Sequence, residues 1–434
     1  MAEDLTKKLA EAQAFESHHK LGDAMKLYES IIQSPIASPD AVTDDLVKAK
    51  EQSTYRLASI YKDKGLVDEL IAMQKAILPL FIELPKSKVA KIVRTLFDMT
   101  LGIQFAVEGK TREMIELCKY IIDWCEKESR SFLRMRIENK LAELYFRMQK
   151  YADALEVLKK LTYELKKKED KILMVEAQLV ESKVYHALEN LPKSKAALTS
   201  VKTTANAIYV VPALQAEIDM MSGLIATDEK DYTTAYSYFY ETFEGYRSLG
   251  EASAGHAFKF MLFSKIMNKQ SDDALNLINS AVALKYQGRD VDAMKEVALA
   301  NKGQNLLAFE RVKEVYKQEL LGDFVINRHF TLLYSSLLED NLRKIIEPYS
   351  EVQIAYIAQQ IGLPVDRVLQ KLSEMILDEK IAGTLDQGRD CLIVFEEGEN
   401  VAIFEHSIEV IKNLETVLDS LYDKTQNYKQ KYLQ

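Results

Sequence analysis

The sequence predicts a mainly α fold: a long stack of helical hairpins, then a small module of three helices and a β-hairpin, then one extended final helix. Three observations carry this. Helical segments recur with a period of about 40 residues over the first two thirds of the chain, which marks stacked supersecondary units. After residue 320 that period gives way to short helices and two strand-like runs around a glycine turn. The last segment places apolar residues at alternating spacings of three and four, the pattern of a helix with one packing seam.

The period is read from Leu141 to Leu155, where Ala142 and Ala154 bracket Tyr145 and Tyr151 as two short helices meeting across a tight turn would. Tyr185, Leu188 and Leu198 repeat Tyr145, Met148 and Leu158 at an offset of 40. Met221 to Ile225 and Asp231 to Phe239 form the next copy. Asp23-Ala-Met, Asp153-Ala-Leu and Asp273-Ala-Leu lie close to three periods apart, so roughly seven hairpins are expected between residues 1 and about 285. One hairpin cannot bury its own apolar stripe and neighbours must supply the missing surface, which predicts a right-handed TPR-like solenoid with wide faces for partners. Gly22, Gly65 and Pro192 are expected at turns. Lys159, Lys160, Lys166, Lys167 and Lys168 read as a solvated helix end.

Beyond residue 320, Arg328 to Arg343 is amphipathic. Ser350 to Ile354 reads as a short strand entering a helix that Gly362 ends. Pro364 opens another helix with Val368, Leu369, Leu372, Met375 and Ile376 on one face. Ile381 to Leu385 and Cys391 to Phe395 flank Gly388 as a hairpin. Three helices and a two-stranded wing predict a winged-helix module. Ile411, Leu414, Leu418, Leu421, Thr425, Tyr428 and Tyr432 then form the seam of the final helix, the expected contact with partner helices. The expected division is a solenoid over 1–285, a helical part plus winged helix over 286–400 with the winged helix at about 325–397, and an assembly helix over 401–434.

Composition narrows the function classes. At 434 residues the chain is about three domains long, and its 47% hydrophobic and 28% charged residues are ordinary for a soluble protein. The start, Met1 to Lys8, is mixed in charge, and no run reaches the ~18 apolar residues of a membrane span. Three cysteines, Cys118, Cys125 and Cys391, make no disulfide framework and fit a reducing compartment. The chain is therefore expected in cytoplasm and nucleus, away from membranes.

No enzyme constellation emerges. Gly109-Lys-Thr mimics the end of a phosphate-binding loop, but the first glycine that loop needs falls on Gln104. His18 and His19 are adjacent and cannot share a helix face as a metal pair. Cys118 and Cys125 could share one, yet structural zinc needs four ligands and no histidine lies near in sequence. No catalytic residue, metal or cofactor is expected. A winged helix raises DNA binding, but from Tyr349 to Glu397 four basic residues face nine acidic ones, a balance of -5 on a chain of net charge -9. Such a module repels phosphates, whereas strand edges suit protein partners.

The order of parts, solenoid then winged helix, resembles the PCI domain family of scaffolds in the proteasome lid, the signalosome and translation-initiation complexes. Leu179 to Ser200, Asp219 to Gly223, Tyr236 to Phe239, Lys344 to Pro348 and Lys371 to Asp378 closely resemble the 26S proteasome lid branch of that family, within a likeness over about residues 10–425. The chain departs at Val210-Val211-Pro212, where that branch tends to Cys-Pro, and at Arg389-Asp390, where it tends to a second glycine in the wing. The resemblance implies a non-catalytic scaffold serving ubiquitin-dependent degradation. Other PCI subunits would be met through the winged helix and a bundle of C-terminal helices, and the 20S core outer ring and ATPase ring through the solenoid. The alternative it leaves is the paralogous scaffold of the signalosome.

Overall fold

The computed structural model describes residues 2–17, 21–34, 44–80, 86–104, 111–280, 283–286, 288–386, 388–395 and 401–432. Two compact units emerge, Met1–Met261 and Leu262–Gln434.

The first unit begins with α1 (Ala2–Ser17), α2 (Leu21–Gln33), α3 (Asp44–Lys64), α4 (Val67–Leu80), α5 (Lys86–Gln104) and α6 (Thr111–Lys127). Next come α7 (Ser131–Arg147), α8 (Tyr151–Lys168), α9 (Lys171–Ala187), α10 (Leu191–Ala205), α11 (Pro212–Asp228) and α12 (Tyr232–Leu249). The division falls within α13 (Ala254–Met267), and α14 (Ser271–Ile278) follows it. The predicted period is visible in the helix starts: α7, α9 and α11 begin at Ser131, Lys171 and Pro212, 40 and 41 residues apart.

Three successive hairpins, α7–α8, α9–α10 and α11–α12, turn on the same backbone device. The residue two beyond the first helix takes the left-handed conformation, at Gln149 (φ 59°), Glu189 (φ 57°) and Lys230 (φ 64°). The following N–H then reaches back to close the helix end, from Lys150 to the Tyr145 carbonyl at 2.9 Å and from Asn190 to the Tyr185 carbonyl at 2.9 Å. Asn190 and Asp231 cap the second helices by accepting from the Lys193 and Thr234 N–H groups. Of the expected turn residues, Gly65 is left-handed at φ 68°, while Pro192 and Gly22 each stand second in a helix, α10 and α2.

Small residues set the closest approach. Gly223 on α11 faces Phe239 on α12 so closely that a Cβ would come within 2.6 Å of the ring, which itself stacks on Phe260 at 5.3 Å. Phe239 is fully buried there.

The second unit continues through α15 (Arg289–Lys302), α16 (Leu306–Val315), α17 (Lys317–Leu321) and α18 (Phe324–Ile346). Phe330 on α18 stacks on Phe309 at 5.2 Å and on Phe263 at 6.5 Å, a buried aromatic core. The winged helix follows as β1 (Glu351–Gln353), α19 (Ile354–Ile361), α20 (Val365–Leu377), β2 (Gly383–Asp386) and β3 (Cys391–Val394). Its strands form one antiparallel sheet in the order β1-β3-β2, with Val352 and Leu385 both opposite Leu392. Gly362 is left-handed at φ 76° and ends α19 as expected. Val368, Leu372 and Met375 bury the inner face of α20, with Leu369 and Ile376 half-buried beside them. In the wing, the Gly388 N–H donates to Asp386 Oδ1 at 2.8 Å, and Asp390 is left-handed at φ 49° where the resemblance leads one to expect glycine. The last element is α21 (Val401–Tyr432), 32 residues long.

Candidate interaction surfaces

Helix α21 carries the predicted seam. Ile411, Leu414, Leu418 and Leu421 lie on it at 56–66% exposure, and every side chain described along the helix is exposed. The side chains of Tyr428 and Tyr432 lie outside the described residues. The apolar arc is wider than the seam read from sequence. Phe404, Ile408, Val410, Val417 and Tyr422 are also more than half exposed, which puts nine large apolar side chains on the helix between Phe404 and Tyr422. In heptad terms Val410 and Val417 flank the seam on one side and Ile408 and Tyr422 on the other. A two-stranded coiled coil covers a narrow seam, whereas an arc this broad needs more than one neighbouring helix. Burying nine such groups is worth on the order of 10 kcal/mol before the entropy cost of association.

The wing offers a second kind of surface. Strands β1 and β2 flank β3, so each has one edge not paired within this sheet, with backbone groups able to extend it. Leu377 at the end of α20 is 82% exposed and Phe395 after β3 is half exposed. Glu339 on α18 bonds both Lys371 and Lys380 at 2.9 Å, so two of the module's few cations are already engaged.

The Lys-rich end of α8 also has more structure than a solvated helix end. The Lys167 ammonium lies 4.2 Å from the Tyr163 ring centre and Lys168 lies 5.6 Å from that of Phe132, with both rings about two-thirds exposed. Sequence spacing could not reveal the second pair, because Phe132 and Lys168 sit on different helices.

Chemically reactive groups are muted. Cys118 and Cys125 are buried, and burial pushes both thiols up to about 12, which leaves them protonated. Burial also pushes up the Cys391 thiol, with Glu351 beside it. Among the described residues no three His, Cys, Asp or Glu side chains gather as a metal site, and no helix is long and apolar enough to cross a membrane. His18 and His19 lie outside the described residues, as do Gly109 and Lys110, and Thr111 begins α6.

Comparison with known proteins agrees with this arrangement. Residues 5–150 match the family model of the 26S proteasome regulatory subunit RPN6 N-terminal domain, and residues 311–396 match that of the PCI domain. The chain is 44% identical to the 26S proteasome non-ATPase regulatory subunit 11 homolog of Arabidopsis thaliana, over 92% of this chain and 93% of that protein. It is 45% identical to the Dictyostelium discoideum protein named 26S proteasome non-ATPase regulatory subunit 11, over 87% and 90% of the two chains. It is 37% identical to the 26S proteasome regulatory subunit RPN6 of Saccharomyces cerevisiae, over 96% and 98%. With a sequence likeness that runs through both the hairpin array and the winged helix, the chain belongs to the family of 26S proteasome non-ATPase regulatory subunit 11.

Proposed function

We propose that the chain is a non-catalytic scaffold in the lid of the 26S proteasome regulatory particle, acting in ubiquitin-dependent protein degradation in cytoplasm and nucleus. Its C-terminal helix joins a bundle of partner helices and its winged helix meets neighbouring PCI subunits. Its hairpin array faces the ATPase ring and the outer ring of the 20S core. The working division is solenoid 1–285, PCI domain 286–400 and assembly helix 401–434. The names of the relatives favour the proteasome over the signalosome.

The observation that carries this reading is the bare apolar arc of α21. A helix with nine exposed large apolar side chains has no reason to persist alone in water, and scaffolding needs only binding energy spread over such a surface. Replacing both Leu418 and Leu421 with Ser removes the middle of the seam. Incorporation into the lid, followed by native gels and mass spectrometry of purified particles, should drop strongly while the free chain keeps its helical spectrum and melting temperature. Normal incorporation of the double variant would refute the assignment of α21 as an assembly contact. The non-catalytic reading fails if the purified chain turns over peptide, ubiquitin conjugate or ATP and loses that activity on mutation of one of its own residues.

A further inference from the structure

Helix α8 turns positive charge to solvent in a chain of net charge -9. Lys159, Tyr163, Lys166 and Lys167 follow one another at spacings that bring them onto one face of the helix, and all four are exposed. Lys160, beside that face, is taken by Glu156 at 2.7 Å. Lys159, Lys166 and Lys167 make no ion pair among the described residues. Most carboxylates around them are engaged elsewhere. Glu126, Glu138 and Glu164 all pair with Arg134, and Asp170 caps α9 by accepting from the Leu173 N–H at 3.3 Å.

Aromatic rings stand where counter-ions would. The pairs of Lys167 with Tyr163 and Lys168 with Phe132 are joined by Lys193 of α10, whose ammonium lies 5.7 Å from the ring centre of Tyr185. The quadrupole of such a ring attracts an ammonium and fixes its position. The ring has no net charge, so the ammonium is held in place without being neutralised. Helix α9 makes the surface continuous. Burial raises the Glu181 carboxyl there, and Lys159 and Lys166 are the cations that oppose the rise. Tyr185 follows Glu181 by one turn beneath Lys193, and α10 has three lysines and no acidic residue. Glu169 and Glu189, left-handed residues at the turns before and after α9, bound the surface with negative charge.

We propose that the exposed face of α8, together with Lys193, docks an acidic segment of a partner polypeptide in which uncharged residues separate the carboxylates. Charge selects the guest, because its carboxylates meet ammoniums already in place and break no ion pair on arrival. From Lys159 to Lys167 the face is about 12 Å long at 1.5 Å per residue. An extended segment covers that in about four steps of 3.3 Å, so acidic residues at alternate positions, which share one side of the segment, face the helix together. A nucleic-acid strand is the poorer guest. Its phosphates run on without a gap and would meet Glu169 and Glu189 as well, and lysine lacks the fork with which arginine grips phosphate.

The test uses the full-length chain and a fluorescent peptide with Glu at alternate positions between Ser residues, beside a counterpart with Gln for every Glu. The Glu peptide should bind at low salt and weaken as ionic strength passes about 0.1 M, and the Gln peptide should not bind. Lys159→Glu with Lys167→Glu should weaken the Glu peptide about tenfold. Lys62→Glu with Lys119→Glu changes the net charge equally at exposed sites on α3 and α6 and should bind as wild type does. Lys159 and Lys167 are exposed, so a circular dichroism spectrum like that of wild type is expected, and Lys193→Glu on α10 carries the comparison if the α8 pair misfolds. The proposal is overturned if the Glu peptide does not bind, if the Gln peptide binds equally, or if both double variants weaken binding alike. Tighter binding of a single-stranded oligothymidylate with the same number of charges overturns it too. The free chain is what is measured, so failure here and failure of the scaffold reading are separate results.

Discussion

Helices α11 and α21 are both rich in apolar residues, yet nine of the 17 residues of α11 are buried and none of the described side chains of α21 is. The difference lies in side-chain size as much as in number. Helix α11 buries Ala216, Ser222, Gly223, Ala226 and Thr227, small groups that admit a neighbouring backbone, and Gly245 of α12 comes so near that a Cβ would lie 3.1 Å from that of Ala216. Helix α21 presents leucines, isoleucines and aromatics, knobs without holes. The first helix is a finished interface, fixed by a tight fit to Phe239 and Gly245 of the next helix. The second presents its apolar face with no described side chain of the chain packed over it.

Variants separate the two regimes. The largest effect is expected from Phe239→Ala, which empties the closest contact of α11 and α12 and should cost about 3–5 kcal/mol, lowering the melting temperature by roughly 10 °C. A shift within a degree of wild type would mean that the small-residue fit is not what holds these hairpins. Gly223→Ala should cost less, about 1–2 kcal/mol, because overpacking against a ring pinned by Phe260 outweighs the gain in helix propensity. Stabilisation by this change would show that Phe239 can retreat.

Asp219, buried on α11, gives a smaller and pH-dependent effect. Burial raises its carboxyl above the ordinary value, and the Gln215 amide, 3.1 Å from both oxygens, lowers it only in part. A carboxyl raised in the folded state binds its proton more tightly there than when unfolded. Stability contributed by this group is therefore present at acid pH and declines as pH rises through the ordinary carboxylate value and then the raised one. Asp219→Asn should melt higher than wild type at pH 7, with the gap closing toward pH 4. A gap that widens on acidification would contradict the burial argument.

The smallest expected change in the isolated chain comes from Val410→Ser with Val417→Ser on the flank of α21, within about 0.5 kcal/mol of wild type. Incorporation into particles should nevertheless fall, though less than for the Leu418 and Leu421 pair. Equal losses for the two pairs would make the flank as important as the seam, and no loss would narrow the interface to a single partner helix.

Much of the fold was legible because it rests on local rules. The 40-residue period, the glycine end of α19, the first-turn proline of α10 and the face of α20 all follow from spacing and backbone preference. Other features depend on contacts distant in sequence. That β1 would join β3 to make a three-stranded sheet requires knowing where residues 351–353 fall relative to 391–393. The breadth of the α21 arc was in the sequence at Val410 and Val417, but a strict three-four spacing passes over them. The cavities lined by α7, α9 and α11 are built from residues one and two periods apart, so no short motif announces them.

The left-handed hairpin residues of the first unit were not legible because none of Gln149, Glu189 and Lys230 is a glycine. Each holds a conformation that costs a side-chain-bearing residue about 1–2 kcal/mol, and each is overruled by the helix-closing hydrogen bond that follows it. Those three positions carry a neutral, a negative and a positive side chain on one backbone geometry. The corner thus accepts any sign of charge without altering the hairpin beneath it. The electrostatic pattern along that edge of the array is free to be rewritten, repeat by repeat, to suit whatever lies against it.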